Sequence, residues 1–157
     1  MHKIWKTISI NSFVSPKKII NDLKNNGYKV SLWIEDVFLN GKNEIKPLVG
    51  DYNFFRVKVA DLGFKTPVEL SEIYNRFQKI NFKCVPPLLA LYLRSNYNEQ
   101  VKGEWLRIAT PIDSLIDTDG IPHLPKLGQG LGFFFIETYW SYPKAIFHPH
   151  NDFVFIK

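Results

Sequence analysis

The sequence predicts a single α+β domain, spanning 1–157, built on a mixed, largely antiparallel sheet with about three helices. Three observations carry that expectation. Phe55-Arg56-Val57-Lys58-Val59 and the run 104–109 alternate with strand period. Leu70, Ile73, Tyr74, Phe77 and Ile80 recur at the spacing of one helix face. A chain of 157 residues that is 45% hydrophobic can fill one sizeable core but is short for two.

Along the chain, residues 3–10 read as a strand with Ile4, Ile8 and Ile10 on one face. Ser15-Pro16 starts a helix, with serine as N-cap and proline at the first helical position, and Asn26-Gly27 closes it. Residues 28–38 are mostly apolar and read as extended, before a turn at Asn40-Gly41-Lys42-Asn43. The alternating strand at 55–59 should have one wet face. Thr66-Pro67-Val68-Glu69 has the pattern of a capping box and should open a helix over 67–80. A third helix over 87–97 carries so many leucines that it belongs at the centre of the core. Strands follow at 104–109, 132–140 and 153–157, with a long loop at 113–132. Pro111, Pro122, Pro125, Pro143 and Pro149 punctuate the intervals, outside any central ladder.

Residues 1–83 hold 14 Lys/Arg against 8 Asp/Glu, whereas residues 84–157 hold 6 against 7. The basic first half, with Lys17, Lys18, Lys24 and Lys29, makes nucleic acid a conceivable partner. The lysines are scattered rather than blocked, which favours an ordinary solvated face. Cys84 is the only cysteine, so no intramolecular disulfide is expected, and it reads as a core residue. There is no leader-like apolar run at the start, and the longest apolar stretch is far below the roughly 20 residues of a membrane span. A bacterial-type cytoplasmic location and no membrane partner are therefore expected.

The passage from the third helix into the next strand concentrates polar residues. Its pattern is Leu93-Arg94, Tyr97, Gln100, Gly103-Glu104, Leu106, Ile108-Ala109 and Pro111-Ile112, followed by Asp119-Gly120, Pro122 and Asp152-Phe153-Val154-Phe155. This half of the chain resembles a family of small, uncharacterised bacterial proteins; the resemblance implies a shared fold segment and no activity. On physical grounds Arg94 leaves its helix near the C-terminus, where a cation is favoured, and Glu104 returns close enough to pair with it. The favoured reading is a polar lock between helix and sheet. The alternative is that Arg94, Tyr97, Gln100 and Glu104 line a binding site.

Other motifs are weaker. His148, His150 and Asp152, completed by His123, could ligate a metal and support a metal-dependent hydrolase, but Pro149 interrupts the segment. Asp113, Asp117, Asp119 and Gly120 fail the calcium-loop spacing, because Leu115 and Lys126 fall where acids are required. Gly128-Gln129-Gly130-Leu131-Gly132 lacks a following helix, so its glycines should serve a bend or a close approach and not a phosphate. The 88–93 helix offers nothing to base edges, which removes a helix-turn-helix reading. Tyr139, Trp140 and Tyr142 end a strand with more aromatic surface than it can bury, as suits a protein partner. The sequence thus favours a non-enzymatic protein-binding or regulatory module, with nucleic-acid binding and hydrolysis as alternatives and no cofactor expected. Oligomeric state is left open.

Overall fold

In the computed structural model, which describes residues 2–157, the alternating segments assemble into one seven-stranded sheet that serves both halves of the core. The elements are β1 (Lys6–Ile10), α1 (Pro16–Asn25), β2 (Lys29–Val30), α2 (Leu32–Glu35), β3 (Gly50–Lys58), β4 (Val68–Glu69), α3 (Leu70–Lys79), α4 (Leu88–Asn96), β5 (Trp105–Ile108), β6 (His123–Gly130), β7 (Phe133–Trp140), β8 (Ile146–Phe147) and β9 (Asp152–Ile156). The strand order is β1-β3-β9-β5-β6-β7-β2, and β4 pairs separately with β8. Only β2–β7 and β5–β9 are parallel in the large sheet, so it is mixed and largely antiparallel, as expected.

Strand alternation sends Phe54, Leu106, Ile108, Leu127, Ile136 and Val154 to one face, under α1, α2 and α4. Phe55, Val57, Phe153 and Phe155 go to the other, under α3. At roughly 1.5–3 kcal/mol for each large apolar side chain fully buried, these two clusters dominate the stability. The fold is a single α+β domain because one sheet is common to both clusters. Among the described residues there are four α-helices and not three, and none is long and apolar enough to cross a membrane.

Several expectations require correction. Residues 28–38 are not one extended segment: after β2, Ser31 accepts a hydrogen bond from the Ile34 amide and caps α2, which runs on into a π-helical turn over Asp36–Asn40. Ile34, Val37 and Phe38 are buried at helical spacing. The helix of residues 67–80 starts late, at Leu70, because Val68 and Glu69 pair with Phe147 and Ile146 in the small sheet. Thr66 therefore does not cap it. Ile4 lies exposed, before β1 begins at Lys6. The supposed loop 113–132 contains β6, including Pro125. That proline breaks no ladder to β5, since their pairing ends at Lys126. The glycine expectation holds at Gly128, where a Cβ would come within 2.4 Å of the Trp105 ring that lies on it.

Candidate functional site

Arg94 is wholly buried at the end of α4, and no carboxylate touches it. Its guanidinium donates to Gln100 Oε1 (2.8 Å) and to the carbonyls of Tyr97 (2.7 Å), Phe135 (2.8 Å) and Gly128 (3.1 Å). Gln100 in turn donates to the Leu127 carbonyl at 3.0 Å. One side chain thus ties α4 to the following turn, β6 and β7. The rings of Phe134 and Tyr28 lie 5.0 and 5.8 Å from the guanidinium carbon. Burial pushes its pKa down to about 10, so the group stays charged at neutral pH. The expected Arg94–Glu104 pair is not formed.

Glu104 pairs instead with Arg56 of β3, a residue to which no local pattern pointed. Arg56 contacts Glu104 (3.1 Å) and Asp152 (2.5 Å) and donates to the Tyr97 hydroxyl (2.9 Å), which itself donates to Glu104 Oε1 (2.7 Å). Lys58 adds a second cation to Asp152 at 3.0 Å. Burial, which lowers the Arg56 pKa, is outweighed by these carboxylates, and the guanidinium is held more firmly protonated than usual. Burial and the bond to Glu104 push the Tyr97 phenol up to about 12. The strand at 55–59 consequently has no simple wet face: Arg56 is half-buried in this network. Of the predicted cluster, Arg94 and Gln100 form one unit and Tyr97 and Glu104 another, joined through the backbone of Tyr97.

The second unit opens into a cleft of about 510 Å³ at the end of the sheet where β5 and β9 begin. Arg56 and Lys58, the turn Lys102-Gly103-Glu104, Arg107, and His150-Asn151-Asp152 line it. The four residues of the metal hypothesis do not converge. The Asp152 carboxylate is taken by Arg56 and Lys58, and His148 stacks on His150 with ring centroids 5.5 Å apart. His123 lies buried elsewhere, and no group of three or more potential ligands forms among the described residues. Among the lysines, Lys18 pairs with Asp22, Lys24 with Glu35, and Lys29 sits over the Phe133 ring. Lys17 is exposed. Cys84 is half-buried, and burial and then Asp113 push its thiol up to about 11, which disfavours the thiolate.

A further buried cluster escaped sequence reading. His123 at the start of β6 bonds Asp117 (2.7 Å) and Thr138 of β7 (2.8 Å), and Trp33 of α2 stacks on its ring at 5.4 Å. Asp117 also accepts from the amides of Asp119 and Ile121, which shapes the turn before β6. The cross-strand partner of His123 is Trp140. Trp33, on the imidazole, and Trp140, across the strand pair from it, both remain about half exposed, at 49% and 55%. Tyr142 is 46% exposed and Leu32 is 81% exposed, whereas Tyr139 is half-buried against Phe147 on the opposite face.

The backbone beside these aromatics pairs with no strand, although α2, which follows the parallel β2, packs against β7. The Ile136 carbonyl accepts the Ser31 amide at 3.1 Å, so residue 136 directs its polar groups away from β6. Alternation directs those of Thr138 and Trp140 the same way. β2 pairs only with Phe135 and Ile136, and no strand among the described residues pairs with the outer edge of 137–140. Comparison with known proteins adds no family: no family model, no curated protein and no solved structure matches the chain.

Proposed function

We propose that this domain is a protein-binding module that takes an extended segment of its partner along the outer edge of β7. The observation that carries this reading is the coincidence, at residues 137–140, of an unpaired strand edge with half-exposed Trp33 and Trp140. Edge strands are sites for strand addition, in which main-chain bonds supply affinity and flanking pockets supply choice of sequence. Aromatic residues are enriched at such contacts. Nucleic-acid binding through Lys17, Lys18, Lys24 and Lys29 is the weaker alternative, since three of the four already have local partners.

Selection from a displayed library of random linear peptides tests the reading. Enriched peptides should bind the wild-type chain and lose most affinity for Trp33→Ser and Trp140→Ser, each checked by thermal unfolding to be folded. Failure to enrich any peptide, or enriched peptides indifferent to both changes, overturns it.

A further inference from the structure

Arg107 is half-buried, and one of its donors is buried without an acceptor. Strand parity places it on the α3 side of β5, where its carbon lies 5.7 Å from the buried Phe147 ring. Its one hydrogen bond is a long contact, 3.4 Å, to the Trp105 carbonyl, and its Nε is buried with no partner. No carboxylate lies within ion-pair distance of it among the described residues. A buried donor such as this Nε normally has an acceptor, because it has given up its bonds to water.

Its neighbours increase the demand for an anion. Lys126 is its cross-strand partner on β6, with the ammonium 4.4 Å from the Trp105 ring centre and 5.7 Å from that of Tyr139. Like charges directly opposite on a sheet repel. Burial, followed by repulsion from Arg107, lowers the Lys126 pKa, and burial lowers that of Arg107. The acids whose charge reaches this pair are Glu137, across from Lys126 on β7, and Asp152 at the start of β9, which its register with Leu106 directs to the other face. Glu137 makes no ion pair with Lys126 within 4 Å, and Asp152 is held by Arg56 and Lys58. Arg107 lines the 510 Å³ cleft together with Lys58, the exposed Lys102 and His150. That volume lies within the usual range of small-molecule sites, roughly 300–1,000 Å³.

We infer that this cleft is a binding site for a small phosphate-bearing anion, held in the fork of the Arg107 guanidinium with Lys58 and Lys102 as flanking charges. A planar guanidinium matches two phosphate oxygens at once, which an ammonium cannot do. The ligand would supply the acceptors that Arg107 lacks and offset the repulsion between Arg107 and Lys126. The site lies apart from the β7 edge and does not depend on it.

The test is calorimetric titration and thermal unfolding of the full chain with inorganic pyrophosphate, against sodium chloride of matched ionic strength. Wild type should bind saturably and melt at a higher temperature. Arg107→Gln should weaken binding about tenfold or more, the loss of a charge-assisted contact. Lys126→Met should show opposite signs: a higher melting temperature without anion, because repulsion is relieved, and a smaller rise with it. Should Arg107→Gln fail to fold, the exposed Lys102→Glu carries the test, with weakened binding expected. No saturable binding by wild type, or unchanged affinity in whichever of these two variants folds, overturns the inference. So does tight binding of a single-stranded oligonucleotide without pyrophosphate binding, which would assign the cleft to nucleic acid.

Discussion

Replacing Arg94 by methionine tests the polar lock at its centre. The change removes a fully buried charge that has no carboxylate partner, which by itself is favourable, since a buried ion costs several kcal/mol. It also strips the donor from three carbonyls and from Gln100 Oε1. Each unsatisfied buried acceptor costs about 1–3 kcal/mol, with carbonyls towards the lower end because they have a second lone pair. The acceptor losses win, and the net destabilisation should be about 3–5 kcal/mol, in the range measured for broken buried networks. Arg94→Lys should be at least as damaging, because it keeps the buried charge but cannot fork to four acceptors. Urea unfolding followed by circular dichroism reads both. A double-mutant cycle should couple Arg94 strongly to Gln100 and only weakly to Glu104, which instead couples to Arg56 by about 1–2 kcal/mol. An Arg94→Met variant within about 1 kcal/mol of wild type would refute the reasoning.

Three smaller effects follow from the same geometry. Burial would raise the Asp117 pKa, but the bonds from His123 and the amides of Ile121 and Asp119 hold it below the ordinary carboxylate value. The stability gap between wild type and Asp117→Asn should accordingly be constant above the ordinary carboxylate range and shrink as pH falls through the lowered pKa, as thermal melts across acid pH would read. Leu131, at φ 52° in the two-residue β6–β7 turn and 87% exposed, occupies a position suited to Asn or Gly. Leu131→Asn should stabilise by about 1 kcal/mol in the same urea assay. Thr66→Ala should change stability by less than about 0.5 kcal/mol, since α3 begins at Leu70 without it.

Strand alternation and helical periodicity are local properties, and the elements they mark sit close to where the sequence places them. The elements misread were decided by distant partners. Val68 and Glu69 satisfy a helix-start pattern, yet pairing with Ile146 and Phe147 draws them into β4. In residues 28–38 the apolar run hid a helical spacing, visible in Ser31 as a cap followed by Ile34, Val37 and Phe38. At the site, the sequence grouped Arg94, Tyr97, Gln100 and Glu104 correctly as neighbours but paired the wrong charges. Glu104 finds its cation 48 residues away in Arg56, which alternation marks only as polar. Trp33 and His123 likewise meet only once α2 folds over β6.

Site-resolved amide hydrogen exchange along β7 tests the proposed docking edge most directly. In the free chain the amides of Thr138 and Trp140 should exchange quickly, while those of Glu137 and Tyr139, bonded towards β6, stay protected. A peptide selected by the wild-type chain should slow Thr138 and Trp140 and leave the other pair unchanged. Protection of Thr138 and Trp140 already in the free chain, or a bound peptide that slows amides elsewhere and not these two, would contradict the account.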